Sequence, residues 1–224
     1  MLLGLFKKLG VLALVACVAT LALPSANAGL IVEYATTGAF DGSPVSPGTT
    51  TASLTVTAPG GTTTTITFTG FSDTIITPSN DSFGDFVVSG GTVSQSLAGH
   101  TFTLYITQIT PPGLGLGTFD ATLTGTIVVL SSQAYVEFST LSQVIDTASD
   151  GPVTYQVTNN DRVGGPVTPG AIALAPPKTG GAAGNPTTIN GYISSVPEPS
   201  TIAMAFSALP VMGLFLVRRR FRQG

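Results

Sequence analysis

The apolar residues of positions 30–193 recur at every second position, and this alternation constrains the fold more than any other feature of the chain. A clear run is Phe102, Leu104 and Ile106, with threonines between them. A period of two places successive side chains on opposite faces of a β-strand, whereas an amphipathic helix needs a period of about 3.6. Similar runs lie at 54–56, 66–68, 119–129, 136–138, 153–157 and 189–193. The pattern predicts an all-β domain.

Turn-forming residues separate these runs at 43–44, 59–61, 78–81, 90–91, 111–113, 150–152 and 164–166. About eight to eleven short strands, each with one apolar face, need a second sheet to cover that face. We therefore expect an antiparallel β-sandwich, jelly-roll-like, at 29–195. A barrel is the alternative, but uneven strands and irregular turns favour the sandwich. The Pro-, Gly- and Ala-rich segment 171–186 is expected to be a long loop.

The first 28 residues have the three parts of a secretory signal peptide. Lys7 and Lys8 supply the positive region, residues 9–23 the apolar run, and Ala26 and Ala28 a small-x-small cleavage site. We predict cleavage after Ala28. A retained anchor is the alternative, and a lipobox ending at Cys17 is a further one, although the residues after that cysteine stay apolar.

The charges are divided unevenly between the body and the two ends. Residues 29–195 hold two bases against ten acids, a net charge of −8, while the other six bases lie near the termini. Phosphate binding depends mainly on Lys and Arg, so we expect no nucleic-acid partner. An acidic body between basic, membrane-directed ends is typical of a translocated domain.

The C-terminal tail combines a Pro-rich motif, an apolar segment and a basic end. The motif is Pro197, Glu198 and Pro199, and residues 202–217 are sixteen uncharged residues. The basic end consists of Arg218, Arg219, Arg220 and Arg222. As a helix the segment would be about 24 Å long, shorter than a hydrocarbon core of about 30 Å. This length, together with Pro210 within the segment, favours temporary membrane insertion.

Residues 196–223 resemble the PEP-CTERM sorting domain of exported Gram-negative proteins in order, spacing and motif. The resemblance implies that 196–224 is a sorting signal with transmembrane segment 202–217. It implies recognition of Pro197, Glu198 and Pro199 by an exosortase, a membrane protease. The protein would then pass through the inner membrane to the cell surface or the extracellular space, with exopolysaccharide as a further partner. An ordinary tail anchor is the alternative.

No catalytic group is evident in the body, and we expect no enzyme activity and no cofactor. His100 is the chain's one histidine and is interpreted as a surface or edge-strand residue. Gly113, Gly115 and Gly117 follow prolines, with no helix predicted after them, so a hairpin loop is a better interpretation than a nucleotide site. Three loop aspartates are candidate ligands for a structural calcium ion, although their spacing matches no known motif: Asp146, Asp150 and Asp161.

Three functional classes remain for the body. A structural component of the cell surface or biofilm matrix is favoured by the many strands and few charges. A carbohydrate-binding surface protein is the alternative, and it would need an exposed aromatic platform. With no tryptophan in the chain, the candidates are Tyr34, Tyr105, Tyr135 and Tyr192. A hydrolase has the least support, because no pair of carboxylates can be chosen from sequence alone.

Overall fold

The computed structural model describes residues 29–43, 50–91, 93–131, 133–148, 150–161 and 169–196. These residues form thirteen β-strands and one 3-10 turn, η1, at Thr179–Gly181. All of the strand pairs are antiparallel. The predicted all-β class is confirmed, and the strands divide between two sheets.

Sheet A has seven strands. They are β1 (Ile31–Phe40), β4 (Ser72–Ile76), β6 (Gln95–Ser96), β7 (Thr101–Thr110), β8 (Leu116–Ile127), β9 (Gln133–Phe138) and β12 (Ala171–Ala173). Six of them pair in the order β12-β9-β8-β7-β1-β4, and β6 pairs with one end of β8.

Sheet B has six strands. They are β2 (Thr51–Thr57), β3 (Thr63–Thr69), β5 (Ser79–Gly90), β10 (Ser142–Ile145), β11 (Val153–Val157) and β13 (Thr187–Ser195). Their order is β10-β11-β13-β5-β3-β2. The described residues 29–196 form one compact unit.

One hydrophobic core draws side chains from both sheets, as in a β-sandwich. The predicted alternation is confirmed in β7, where Phe102, Leu104 and Ile106 are fully buried. It is also confirmed at 136–138 and 153–157. Gly125 of β8 departs from the pattern: it has a φ of 80° and is exposed, although its position in the alternation predicts burial.

Three sequence predictions of local structure need correction. Thirteen strands exceed the predicted eight to eleven, because β6 and β12, with two and three residues, are too short for alternation to show. The turn predicted at 78–81 is wrong beyond Pro78, since β5 begins at Ser79. The segment 171–186 is not one loop, because it contains β12 and η1.

The predicted hairpin loop around Gly113 lies between β7 and β8, and Gly117 already belongs to β8. The described residues contain no helix with the length and apolar character needed to cross a membrane. The predicted signal peptide 1–28 lies outside the described residues, as does the predicted sorting signal 196–224 apart from Val196, including segment 202–217.

Candidate functional site

The residues predicted to carry the sorting signal lie outside the described part of the chain. They are Pro197, Glu198, Pro199, Arg218, Arg219, Arg220 and Arg222, together with Ala28 at the predicted cleavage position. The structure does describe the two residues that border these segments, Gly29 and Val196. The candidate site is therefore the region where the body connects to its two predicted signals.

Strands β1 and β13, the first and last of the described residues, lie in the interior of different sheets. β1 lies between β7 and β4, and β13 lies between β11 and β5. The first residue of β1, Ile31, pairs with Ile76, and the last residue of β13, Ser195, pairs with Val153. The first two residues of β1 pair with β4 alone, and the last two residues of β13 pair with β11 alone. Further along, each strand has a hydrogen-bonded neighbour on both sides, so it can leave its sheet only by breaking two ladders.

The two ends of the domain meet at Thr77, which is 2% exposed. Its hydroxyl accepts a hydrogen bond from the Leu30 amide at 3.1 Å and lies 2.6 Å from the Ser195 hydroxyl. The Thr77 amide donates to the Leu30 carbonyl at 2.9 Å. Thr77 follows β4 of sheet A and precedes β5 of sheet B, so it lies where the chain passes between the sheets. We call Leu30, Thr77 and Ser195 the terminal junction.

The backbone is held in place up to each border of the described domain. At Gly29, a Cβ atom would overlap the Ile76 side chain and the Thr77 carbonyl oxygen, so only glycine fits without a shift. At the other border, the Val196 amide donates to the Pro152 carbonyl at 3.3 Å. The predicted signals are therefore attached to fixed points rather than to long loops.

Replacing Thr77 by valine tests the terminal junction. Thr77→Val keeps the side-chain shape but leaves the Leu30 amide and the Ser195 hydroxyl without a buried partner, so we expect the free energy of unfolding to fall by about 1–3 kcal/mol. The amides of Leu30 and Val196 should also exchange hydrogen faster, as measured by mass spectrometry. Thr74→Val, at an exposed position of β4, is the matched control and should change stability by less than about 0.5 kcal/mol. Equal effects of the two changes would contradict a junction role for Thr77.

His100 lies at the opposite end of the domain, beside Asp41. Its Nδ1 atom is 2.8 Å from one carboxylate oxygen of Asp41. The other carboxylate oxygen accepts a hydrogen bond from the Thr101 amide at 2.9 Å. Burial raises the pKa of Asp41, but the hydrogen bonds from Thr101 and His100 outweigh it, so the pKa lies below its usual value. The pair connects the end of β1 to the start of β7, and both side chains are partly exposed, in agreement with a surface histidine.

The aspartates considered as calcium ligands do not form a metal site. Among the described residues, no group of three or more His, Cys, Asp or Glu side chains could hold a metal ion. One Asp161 oxygen accepts a hydrogen bond from the Asn159 side chain at 3.3 Å. The backbone carbonyl of Asp146 accepts a hydrogen bond from the Leu114 amide at 2.9 Å. The geometry gives calcium binding no support.

The tyrosines considered as a sugar-binding platform lie apart from one another. Tyr34 is fully buried, and burial raises its pKa well above the usual value. Tyr105 and Tyr135 pair on β8 with Thr118 and Thr124, which are six residues or about 20 Å apart. Tyr192 belongs to β13 of the other sheet. No two of these four rings stack side by side on one exposed face.

A row of hydroxyl groups covers the outer face of the β2–β3 hairpin, and we call it the hydroxyl ladder. Exposed or half-buried Thr and Ser residues face each other in four cross-strand pairs: Thr51 with Thr69, Ser53 with Thr67, Thr55 with Thr65, and Thr57 with Thr63. The Ser53 and Thr67 hydroxyls are 3.3 Å apart, and those of Thr55 and Thr65 are 3.4 Å apart. This surface is uncharged and rich in hydrogen-bonding groups.

Sequence reasoning did not find the terminal junction. Thr77 and Ser195 are 118 positions apart, and Thr77 lies beside a segment that was predicted to be only a turn. The one local signal is the Thr77-Pro78 pair before β5. Thr-Pro pairs recur in this chain at 110–111 and 168–169, so such a pair does not by itself identify a contact between the two ends.

No protein-family model, no curated protein and no solved structure matches this chain. The resemblance of its tail to a sorting domain therefore rests on the residues of that tail.

Proposed function

We propose that this chain is an exported protein of the cell surface or extracellular matrix, sorted by its C-terminal tail. The signal peptide is removed after Ala28, and the tail enters the inner membrane in transit. An exosortase-type membrane protease recognises Pro197, Glu198 and Pro199. The product is then delivered to the cell surface or outside the cell.

The terminal junction is the observation that carries this proposal. Leu30 and Ser195 leave the folded body at one end, because both are bonded to Thr77. Two membrane-directed segments that leave together can engage one membrane while the body lies to one side of it. Strand β1 has ten residues and is about 33 Å long, so segments leaving from opposite ends would be about that far apart.

The charge distribution supports the same topology. The body carries two bases against ten acids, and four arginines follow segment 202–217. Positive residues remain on the cytoplasmic side of a membrane segment, which leaves the acidic body on the outer side. The same deficit of bases supports the proposal that the body has no nucleic-acid partner.

The proposed role of the body is structural rather than enzymatic. Its support is the uncharged hydroxyl ladder on the β2–β3 hairpin, a surface suited to hydrogen bonding with neutral matrix material. Exopolysaccharide is the partner class with this chemistry. Carbohydrate binding through stacked aromatic side chains is the second candidate function of the body. It has less support, because the tyrosines lie apart from one another.

The jelly-roll-like form of the sandwich is also part of the proposal. Its support is the repeated passage of the chain between the sheets: β1 lies in sheet A, β2 and β3 in sheet B, β4 in sheet A and β5 in sheet B. Later, β10 and β11 lie in sheet B, β12 in sheet A and β13 in sheet B. The consecutive strands β7, β8 and β9 form a meander within sheet A.

Alanine replacement of the motif tests the sorting step. With Pro197, Glu198 and Pro199 all changed to alanine, we expect the protein to remain in the inner membrane with its arginine tail attached. Mass spectrometry of both termini, in cells that make an exosortase, measures the result. The unchanged chain should begin at Gly29 and lack residues 218–222.

A control variant replaces two prolines and one polar residue within the body. Pro59, Asn185 and Pro186 are exposed loop residues, and alanines at these positions should leave processing unchanged. Retention of residues 218–222 by the unchanged surface protein would contradict the proposal. Normal processing of the motif variant would contradict it as well.

A further inference from the structure

Exposed large apolar side chains are concentrated at the end of the domain that carries the terminal junction, which we call the junction end. Among the described residues there are eleven such side chains. Seven lie at the junction end: Ile31, Ile76, Ile109, Leu114, Leu116, Val144 and Val196. Leu114 is 71% exposed and Ile76 is 66% exposed, so these side chains project into solvent rather than rest on the core.

Strand register places these seven residues at the same end. Ile31 and Ile76 are cross-strand partners at the start of β1 and the end of β4. Glu33 of β1 pairs with the last residue of β7, so the connection that carries Leu114 lies beside them. The Leu114 amide donates to the carbonyl of Asp146, in the loop that follows β10. That loop leads into β11, and the carbonyl of its Pro152 accepts a hydrogen bond from the Val196 amide.

The charges at the junction end are negative. Glu33, which pairs with the last residue of β7, and Asp146 and Asp150, in the loop after β10, lie at this end. The described residues that can carry a positive charge lie elsewhere. His100 lies beside Asp41 at the opposite end. Lys178 follows Pro177, whose carbonyl accepts a hydrogen bond from the Leu130 amide. A surface with exposed leucines and without bases fits a neutral apolar partner better than an anionic one.

The chain beyond Val196 limits where that partner can be. Five residues, 197–201, separate Val196 from the apolar segment that begins at Ile202. At no more than about 3.6 Å per residue, Val196 lies within about 22 Å of the start of that segment. A tether this short gives an effective concentration of about millimolar order, so a few apolar side chains are enough to dock the domain.

We propose that the junction end docks on the zwitterionic lipid surface of the bilayer in which segment 202–217 is inserted, with Leu114 and Leu116 entering the interface. This inference rests on the proposed function, which supplies the inserted tail. Docking holds residues 196–200 at the membrane surface, where a membrane protease can reach them. It also fixes the orientation of the body, with the His100 end directed away from the membrane.

Fluorescent probes on the full chain in phosphatidylcholine vesicles test this inference. In a Cys17→Ser background, which removes the one native thiol, Leu114→Cys carries an environment-sensitive nitrobenzoxadiazole label. Leu130→Cys, exposed at the opposite end, is the matched control. We expect the label at position 114 to be quenched several-fold more slowly by aqueous dithionite than the label at position 130.

A third label separates this inference from the proposed function. Leu209→Cys, within segment 202–217, reports whether the tail is inserted. A shielded label at 209 with equal quenching at 114 and 130 overturns docking alone, while free quenching at 209 and 114 overturns both proposals.

Two further outcomes would also overturn docking on a neutral lipid surface. Shielding at 114 that increases with the protein-to-lipid ratio would indicate a second copy of the chain. Shielding that grows as phosphatidylglycerol replaces phosphatidylcholine would indicate attraction by charge.

Discussion

Phe102→Ala should lower the free energy of unfolding by about 4 kcal/mol, because it removes a buried ring that contacts aromatic rings of both sheets. Phe102 of β7 is fully buried. Its centroid lies 5.0 Å from that of Phe68 and 4.9 Å from that of Phe86, both in sheet B. Within sheet A it lies 5.0 Å from Phe40 and 6.3 Å from Phe138. Truncation leaves a cavity where four aromatic rings meet.

Urea denaturation of the purified exported protein measures this effect. The midpoint of thermal unfolding should also fall by about 8–16 °C, since each kcal/mol shifts it by about 2–4 °C in a domain of this size. Phe71→Ala is the matched control, because Phe71 is 37% exposed and should cost less than about 1 kcal/mol. If the two variants lose the same stability, the aromatic cluster is not the centre of the core.

The position of Phe102 could be predicted from the sequence, because regular alternation needs only neighbouring residues. The same holds for Val153, Tyr155 and Val157, which alternate in the sequence and are buried in β11. Such a pattern identifies the inward face of each strand and the all-β class. It carries no information about which strands pair, so the two sheets and their orders came from the structure alone.

The candidate site depends on contacts between distant residues, and local patterns do not encode them. Thr77 bonds Leu30 and Ser195 across 47 and 118 positions. Tyr34 illustrates the same limit: the sequence offers it as a candidate for an exposed aromatic platform, yet it is buried, and its hydroxyl donates to the Ser82 carbonyl. A buried tyrosine usually needs a hydrogen-bond partner for its hydroxyl, and that partner can be identified only in the fold.

Strand β5 is absent from the predicted strands because its alternation is interrupted at Gly84. Phe83 and Phe86 are both fully buried although they are three positions apart. Gly84 lies between them with a φ of 123°, a backbone conformation open almost only to glycine. Because of this local irregularity, both rings point into the same core. The buried residues of β5 therefore do not alternate with a period of two throughout the strand, which is the pattern that predicts a strand from sequence.

Gly84→Ala should therefore lower the free energy of unfolding by about 3 kcal/mol, as backbone strain and overpacking add. A Cβ atom at this position would lie 2.6 Å from the Phe68 ring and 2.6 Å from the Thr69 carbonyl oxygen. Neither neighbour can withdraw easily, because Phe68 is packed against Phe86 and Phe102. Urea denaturation measures the loss, and near-ultraviolet circular dichroism reports whether the aromatic packing changes with it.

Gly99→Ala separates the two causes. Gly99 also has a positive φ, 94°, but a Cβ atom there would meet nothing within 4 Å. Its replacement carries backbone strain without crowding and should cost about 1 kcal/mol. A larger loss at position 84 than at 99 assigns the difference to the contact with Phe68 and Thr69. Equal losses would mean that the core accommodates a methyl group at β5, and that glycine is needed there for its backbone alone.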